Sequence, residues 1–258
     1  MAEILDYYAP NALSALYYDL VARHDSSLKG EVDFYADLIP RQSWVLEVGA
    51  GSGRITIPLA ERDYAVVGLD NSPVMLQRAG ARHEQLTDPD LKARTGFVQG
   101  DMRRFELNNE FDAVIAPFFG FSHLPAGAHR QMAMRAIARH LKPGGIAAIH
   151  AVLPATIAAS APIDPVRPVL NAELDESGRR LAIYMRAQGF EAATGRFEQI
   201  LDYVVYGADG VEEQRSPERL VYFVSDLEAD ALGSGLILQR KISPFNDVGE
   251  MWVFERKA

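Results

Sequence analysis

The 258-residue chain contains no cysteine. Disulfides, thiolate nucleophiles, zinc–cysteine sites and cysteine-ligated iron–sulfur clusters are therefore excluded. It also lacks any apolar run long enough to cross a bilayer, so no membrane partner is expected. Basic charge is in deficit, with 26 Lys and Arg against 35 Asp and Glu and a formal net charge of −9. No Lys/Arg run resembles a phosphate-tracking surface, which argues against a nucleic-acid partner. The opening MAEILDYYAP is acidic and lacks a signal-peptide core, so the expected location is cytoplasmic. No repeat or low-complexity segment is present. With 48% hydrophobic and 24% charged residues, the composition is that of an ordinary globular protein, one large domain or one domain with an insertion.

What is present is organised around Trp44–Arg54, WVLEVGAGSGR. Trp44–Val48 reads as a buried strand and the segment from Arg54 as a helix. Gly49, Gly51 and Gly53 between them let the backbone turn sharply and let a ligand approach main-chain atoms. Strand, glycine loop and helix open a nucleotide-binding α/β unit, although a lone glycine turn is also an ordinary strand-to-helix connection.

The flanking pattern extends this unit. Residues 11–22 read as a helix with Asn11 as N-cap, and Glu31–Ile39 as a second helix stopped by Pro40. Tyr7, Tyr8, Tyr17 and Tyr18 make this region either core packing or a lid with phenolic groups over a pocket. Strands follow at Tyr64–Leu69, Thr95–Gln99, Phe111–Ala116 and Ile146–Val152. The helices between them begin at Ser72-Pro73 and at Pro125, and Thr87–Asp90 reads as a turn. Strands alternating with helices predict a parallel sheet covered on both faces. Beyond Pro154 the texture changes. A connection with several prolines leads to antiparallel strands at Arg179–Arg186, Arg196–Tyr206 and Glu218–Val224, then a short helix at Asp226–Leu232 and closing strands at Leu236–Ile242 and Met251–Arg256.

Four features fall at the C-terminal ends of successive strands, where open parallel sheets bind ligands. They are Glu47 with the glycine loop, Asp70, Asp101 with Met102, and Pro117 with Phe118 and Phe119. A carboxylate after the second strand suits a ribose diol. An acid beside an apolar residue after the third suits an adenine. Glycine N–H groups at a helix N-terminus suit a carboxylate. Together they describe a nucleoside with an amino-acid tail. The dinucleotide fingerprint G-x-G-x-x-G fails, because Gly53 is followed by Arg54.

VLEVGAGSGR, VVGLDNSPVML, FVQGDMRRF, FDAVIAPFFGFSHL and ARHLKPGGIAAIH, in this order, resemble the class I S-adenosylmethionine-dependent methyltransferases. The resemblance covers residues 17–153 and more loosely the rest. It implies an α/β fold with a doubly wound, Rossmann-like, seven-stranded sheet whose last strand is antiparallel, an N-terminal helical lid, and an inserted antiparallel β-sheet after the fifth strand. The expected division is lid 1–40, cofactor-binding core 41–153, insertion 154–225 and the end of the core sheet 226–258. The implied cofactor is S-adenosyl-L-methionine. Glu47, Gly49, Ala50, Gly51 and Gly53 would flank its methionine part. Asp70 would take the ribose hydroxyls, with Asn71 and Met75 alongside. Asp101 and Met102 would hold the adenine, and Pro117 and Phe118 would lie near the methyl group. Met75 and Met102 are equally well read as core residues.

The run APFFGFSHL lacks the polar residue before proline that DNA amino-methyltransferases carry. The better resemblance is to small-molecule enzymes, the sugar-amine and glycine/sarcosine N-methyltransferases. These carry a tyrosine-bearing N-terminal helix, here Tyr17 and Tyr18, and a His or Tyr after the fourth strand, here His123. The expectation is methyl transfer to a small-molecule acceptor, N-methylation favoured over O-methylation. A non-catalytic S-adenosylmethionine-binding or assembly protein is the reading from another class. His123 is the first candidate general base, with a helix cap or buried structural histidine as its alternative; His150 is the second. Tyr18, with Tyr17, closes over the cofactor or orients the acceptor. His140 is read as complementing a helix dipole. His24, His83 and His129 lack ligand-like spacing with carboxylates, so no metal is expected. The insertion would form a wall over the pocket or a homodimer contact.

Overall fold

The computed structural model describes residues 3–158, 162–224 and 226–257. The strands are β1 (Leu5–Asp6), β2 (Trp44–Val48), β3 (Ala65–Asp70), β4 (Thr95–Gln99), β5 (Phe111–Ala116), β6 (Leu141–Val152), β7 (Leu170–Glu173), β8 (Arg180–Glu191), β9 (Arg196–Tyr206), β10 (Glu212–Phe223), β11 (Leu236–Phe245) and β12 (Gly249–Arg256). The helices are α1 (Leu13–Leu16), α2 (Tyr18–His24), α3 (Glu31–Leu38), α4 (Thr56–Ala60), α5 (Pro73–Glu84), α6 (Pro89–Ala93), α7 (Ala128–His140), α8 (Pro154–Ala158) and α9 (Leu227–Ala231).

The main sheet has the order β11-β12-β6-β5-β2-β3-β4. β3, β2, β5 and β6 pair in parallel, as do β3 and β4, whereas β12 runs antiparallel to both neighbours. The sheet is thus seven-stranded and Rossmann-like, with its last strand reversed. β2 shows why: Val45 packs with Ile55, Tyr35 and Ile115 on one face, and Leu46 with Val114, Ile137 and Phe254 on the other. A strand buried on both faces reads as a continuous apolar run.

The second sheet, β1-β10-β9-β8-β7, is antiparallel except for the β1–β10 pair. The N-terminal segment is fastened to it. Tyr7 N–H donates to the Arg219 carbonyl at 3.0 Å, Ser14 N–H to Glu218 Oε1 at 3.2 Å, and Leu13 packs among Leu181, Leu201 and Tyr203. The N-terminal segment is therefore held from the second sheet.

Several expectations need correction. The helix over 11–22 is two helices, α1 and α2, with Tyr17 between them at φ −106°, ψ 19°. Ala12, not Asn11, is the N-cap of α1. The break turns two adjacent tyrosines to different cores: Tyr17 packs against the second sheet, Tyr18 with Tyr8, Met75 and Phe118. The Thr87–Asp90 turn leads directly into α6, which Asp88 caps by accepting Asp90 N–H at 2.9 Å. The proline-bearing connection contains α8, and its residues 159–161 lie outside the described residues. β8 and β10 are longer than expected, and β1 and β7, too short to leave a periodic signal, escaped the sequence reading. At the end of α7, His140 donates from Nδ1 to the Ala136 carbonyl (2.7 Å) and accepts Leu107 N–H at Nε2 (2.9 Å), so it ties a loop to the helix.

Candidate active site

A cavity of about 620 Å³ opens at the C-terminal ends of β2, β3, β4 and β5 and is roofed by α2, the β1 segment and β10. Its floor is the glycine loop. Gly51, at φ +56°, turns its N–H onto Asp70 Oδ2 at 2.8 Å. Ser72 N–H holds the other oxygen, Oδ1, at 2.8 Å. Both oxygens of Asp70 are thus fixed by backbone with lone pairs to spare. Burial raises its carboxyl above the usual range, offset in part by these amides. Ser72 also caps α5, accepting Met75 N–H at 3.4 Å, with Pro73 at the start of the helix, and Met75 faces the cavity beside Tyr18.

Glu47, at the end of β2, is buried and accepts the Thr56 hydroxyl. Burial pushes its carboxyl up to about 8, with the Thr56 hydroxyl and Arg54 pulling the other way. Asp101 lines the cavity just after β4. Arg103 Nε donates to its two oxygens at 2.9 and 3.0 Å and, with its other contacts, holds the carboxyl below its usual range. Arg103 Nη1 continues to His129 Nδ1 at 2.9 Å. Arg54, immediately after the glycine loop, stands 5.5 Å over the Phe118 ring. Its Nη2 donates to Glu31 at 2.6 Å, while its buried Nε has no hydrogen-bond partner among the described residues.

His123 closes the far side. The 3₁₀ turn Gly120–His123 carries it under β10, where Nδ1 lies 2.9 Å from the Val221 carbonyl oxygen. A carbonyl only accepts, so Nδ1 carries the proton and Nε2 is the free lone pair of the neutral ring. Burial lowers the pKa of His123, with the Val221 bond opposing it. Its ring lies 4.8 Å from Tyr222 and 6.5 Å from Tyr8.

Of the expected site residues, Tyr18, Glu47, Gly49, Ala50, Gly51, Asp70, Asn71, Met75, Asp101, Met102, Pro117, Phe118 and His123 all face this cavity. Three do not. Tyr17 turns to the second sheet. Gly53 meets Phe97, whose ring would stand 2.8 Å from a Cβ there, so it serves packing. His150 is fully buried and donates from Nδ1 to Glu31 at 3.0 Å; it cannot reach an acceptor in the cavity. The sequence reading missed Arg54, Arg103, Arg219 and Val221. Arg54 and Arg103 adjoin recognised motifs, and a cation beside such a loop was a usable signal. Arg219 and Val221 come from β10, and nothing local marks them. Among the described residues no group of His, Asp and Glu could hold a metal ion, and no helix is long and apolar enough to cross a membrane.

With this geometry in place, the class is clear: a Rossmann-like sheet with a reversed last strand and a nucleoside-shaped acidic array at its C-terminal edge. Residues 45–145 match the family model of the methyltransferase domain, and this part of the chain is similar to S-adenosylmethionine-dependent methyltransferases. It is 29% identical over 202 residues to a cypemycin N-terminal methyltransferase from Streptomyces, covering 74% of this chain and 79% of that one. It is 32% identical over 123 residues to the dTDP-3-amino-3,4,6-trideoxy-alpha-D-glucopyranose N,N-dimethyltransferase of Streptomyces venezuelae; 46% of this chain matches 48% of that enzyme, so the match spans about half of each. The fold is shared with an amino pentose methyltransferase of Micromonospora echinaspora solved with S-adenosylmethionine bound, at TM-score 0.71 and 23% identity over 94% of this chain and 96% of that one.

Proposed function

We propose that this chain methylates the amine of a small-molecule acceptor. The observation that carries the reading is the fixed tautomer of His123, a cavity-lining residue whose Nε2 is left unprotonated by the Nδ1–Val221 bond. The residues fit the cofactor. Asp70, held open by two amides, suits the ribose hydroxyls, with Asn71 and Met75 alongside. Asp101 with Met102 suits the adenine. The Arg54 guanidinium, which lines the cavity, suits the methionine carboxylate, and Glu47 suits a positively charged neighbour. When bound, S-adenosylmethionine supplies an electrophilic methyl group.

The protein's own work is then alignment and proton transfer. Pro117, Phe118, Tyr8 and Tyr18 line the cavity; the first two would bound the methyl group of a bound cofactor and the two tyrosines would shield it from water. Alignment of the acceptor nitrogen by these residues would supply most of the acceleration expected of such a displacement. The proton lost by the amine passes to His123 Nε2. Of the relatives named above, one is an N-terminal methyltransferase and the other an amino-sugar N,N-dimethyltransferase by name, which supports an amine over a hydroxyl acceptor. The same base would serve an O-methyltransferase.

The test is calorimetric titration with S-adenosylmethionine and S-adenosylhomocysteine, with NAD as control, followed by a panel of amino sugars, amino acids and short peptides with free N-termini. Binding of the first two but not NAD, with methylation of an amine, supports the reading. Turnover of hydroxyl acceptors alone would shift it to O-methylation, and cofactor binding without turnover would favour a non-catalytic role.

A further inference from the structure

Glu31, the first residue of α3, is fully buried and lies outside the cavity wall. Its carboxylate nevertheless ties together four separate parts of the chain. Oε2 accepts Arg54 Nη2 at 2.6 Å. Oε1 accepts the Phe118 amide at 3.0 Å, His150 Nδ1 at 3.0 Å and the Tyr35 hydroxyl at 3.5 Å. Burial alone would raise this carboxyl, but Arg54 and His150 outweigh it and hold it down at about 2. It is a fixed anion inside the protein.

Two of its partners face the cavity at the end assigned to the methionine tail. Phe118 and its neighbour Phe119 sit at φ +44° and +57°, a left-handed pair that bulky residues rarely adopt. The Phe118 amide in that turn is anchored by Glu31. Arg54, which lines the cavity, is anchored through its terminal nitrogen Nη2. Behind Glu31, His150 packs its ring 4.5 Å from Phe119, and its Nε2 has no partner among the described residues. Nε2 faces Gly249, where a Cβ would stand 2.1 Å away. This backing leaves Glu31 no room to turn towards β12.

We infer that Glu31 is a positioning residue for the methionine end of the cofactor site, setting both the Arg54 guanidinium and the Phe118–Phe119 turn from outside the cavity. This rests on the reading that the cavity binds S-adenosylmethionine. Glu31 touches no cofactor atom, so its effect on binding must pass through the residues it holds.

A double-mutant cycle tests this without an acceptor. Glu31→Gln keeps the shape and an amide oxygen for Phe118 N–H but removes the charge that orients Arg54. With S-adenosylhomocysteine as titrant, Glu31→Gln should bind about tenfold or more weakly while unfolding cooperatively, and Arg54→Gln should lose a similar factor. The double variant should fall within about threefold of Arg54→Gln, because coupled residues are non-additive. A merely structural role would give losses that multiply. Multiplying losses, or binding by folded Glu31→Gln within about twofold of the unsubstituted protein, overturns the inference. Should Glu31→Gln lose its cooperative transition, Glu31→Asp, which keeps the charge but shortens the reach, replaces it in the same cycle with the same criteria. Absence of binding by the unsubstituted protein overturns the cofactor reading and this inference with it, whereas normal binding with a flat Glu31→Gln overturns this inference alone.

Discussion

His123 Nδ1 lies 2.9 Å from the carbonyl oxygen of Val221, a residue 98 positions later in the chain. The bond joins the turn after β5 to the inserted sheet and fixes which ring nitrogen is free. Replacing His123 with Ala should lower turnover by about 10²–10⁴-fold, the usual range for removing a general base. The affinity for S-adenosylhomocysteine should stay within about threefold, because Asp70 and Asp101 are untouched. The acid limb of kcat/KM should fall below the ordinary histidine value of 6.5, since burial lowers the pKa of His123. Equal turnover of the His123→Ala enzyme would remove it as the base.

Asp70 makes a separable prediction. Its two oxygens are oriented by Gly51 and Ser72 amides and face the cavity. Asp70→Ala should cost about 1.5–3 kcal/mol of cofactor affinity, the range for hydrogen bonds to a charged group. Titration calorimetry measures this directly, and unchanged affinity would take Asp70 out of the site.

The parts of this site that were readable in sequence share one property. They are set by neighbours within a few residues. Asp70 ends its strand, and Ser72-Pro73 caps the next helix by a local rule. What escaped is long-range. Glu31 reads as an ordinary acid at a helix start, yet it pairs with residues 23, 87 and 119 positions away. Arg219 and Val221 reach the cavity only because β10 folds back over the 3₁₀ turn. His150 looked catalytic because it ends a strand beside the site, but its side chain points into the protein and not into the cavity. The two-residue β1 is too short for any periodicity, and it is defined only by its partner in the second sheet.

Glu47 gives the site a pH dependence with a definite sign. Burial raises its carboxyl from 4.5 to about 8 in the free protein, so it is mostly protonated at pH 7. A bound sulfonium and ammonium favour the ionised form. S-adenosylmethionine should therefore bind with proton release at pH 7, seen as a buffer-dependent heat, and its affinity should tighten as pH rises from 6 towards 8. The free protein should show the opposite trend. A carboxyl whose folded-state pKa is raised contributes stability that is fully present below about 4.5 and lost as pH rises through about 8. Glu47→Gln should flatten both profiles, and a profile unchanged by this substitution would assign the titration to another group.

Gly53 separates packing from binding within one loop. It sits at φ +79°, and a Cβ on it would lie 2.8 Å from the Phe97 ring, itself held between β3 and α5. Gly53→Ala therefore combines a strained backbone with overpacking, each of which costs about 1–3 kcal/mol. Denaturant unfolding should show a loss of about 2–6 kcal/mol by the same reasoning. Gly51 differs. Its Cβ would meet only the flexible end of Met75 at 3.3 Å and Tyr18 at 3.8 Å, and its amide is the one that holds Asp70. Gly51→Ala should thus weaken S-adenosylhomocysteine binding more than it lowers stability, and Gly53→Ala the reverse. If both substitutions moved stability and affinity in the same proportion, the loop could not be divided between a cofactor-facing glycine and a sheet-facing one.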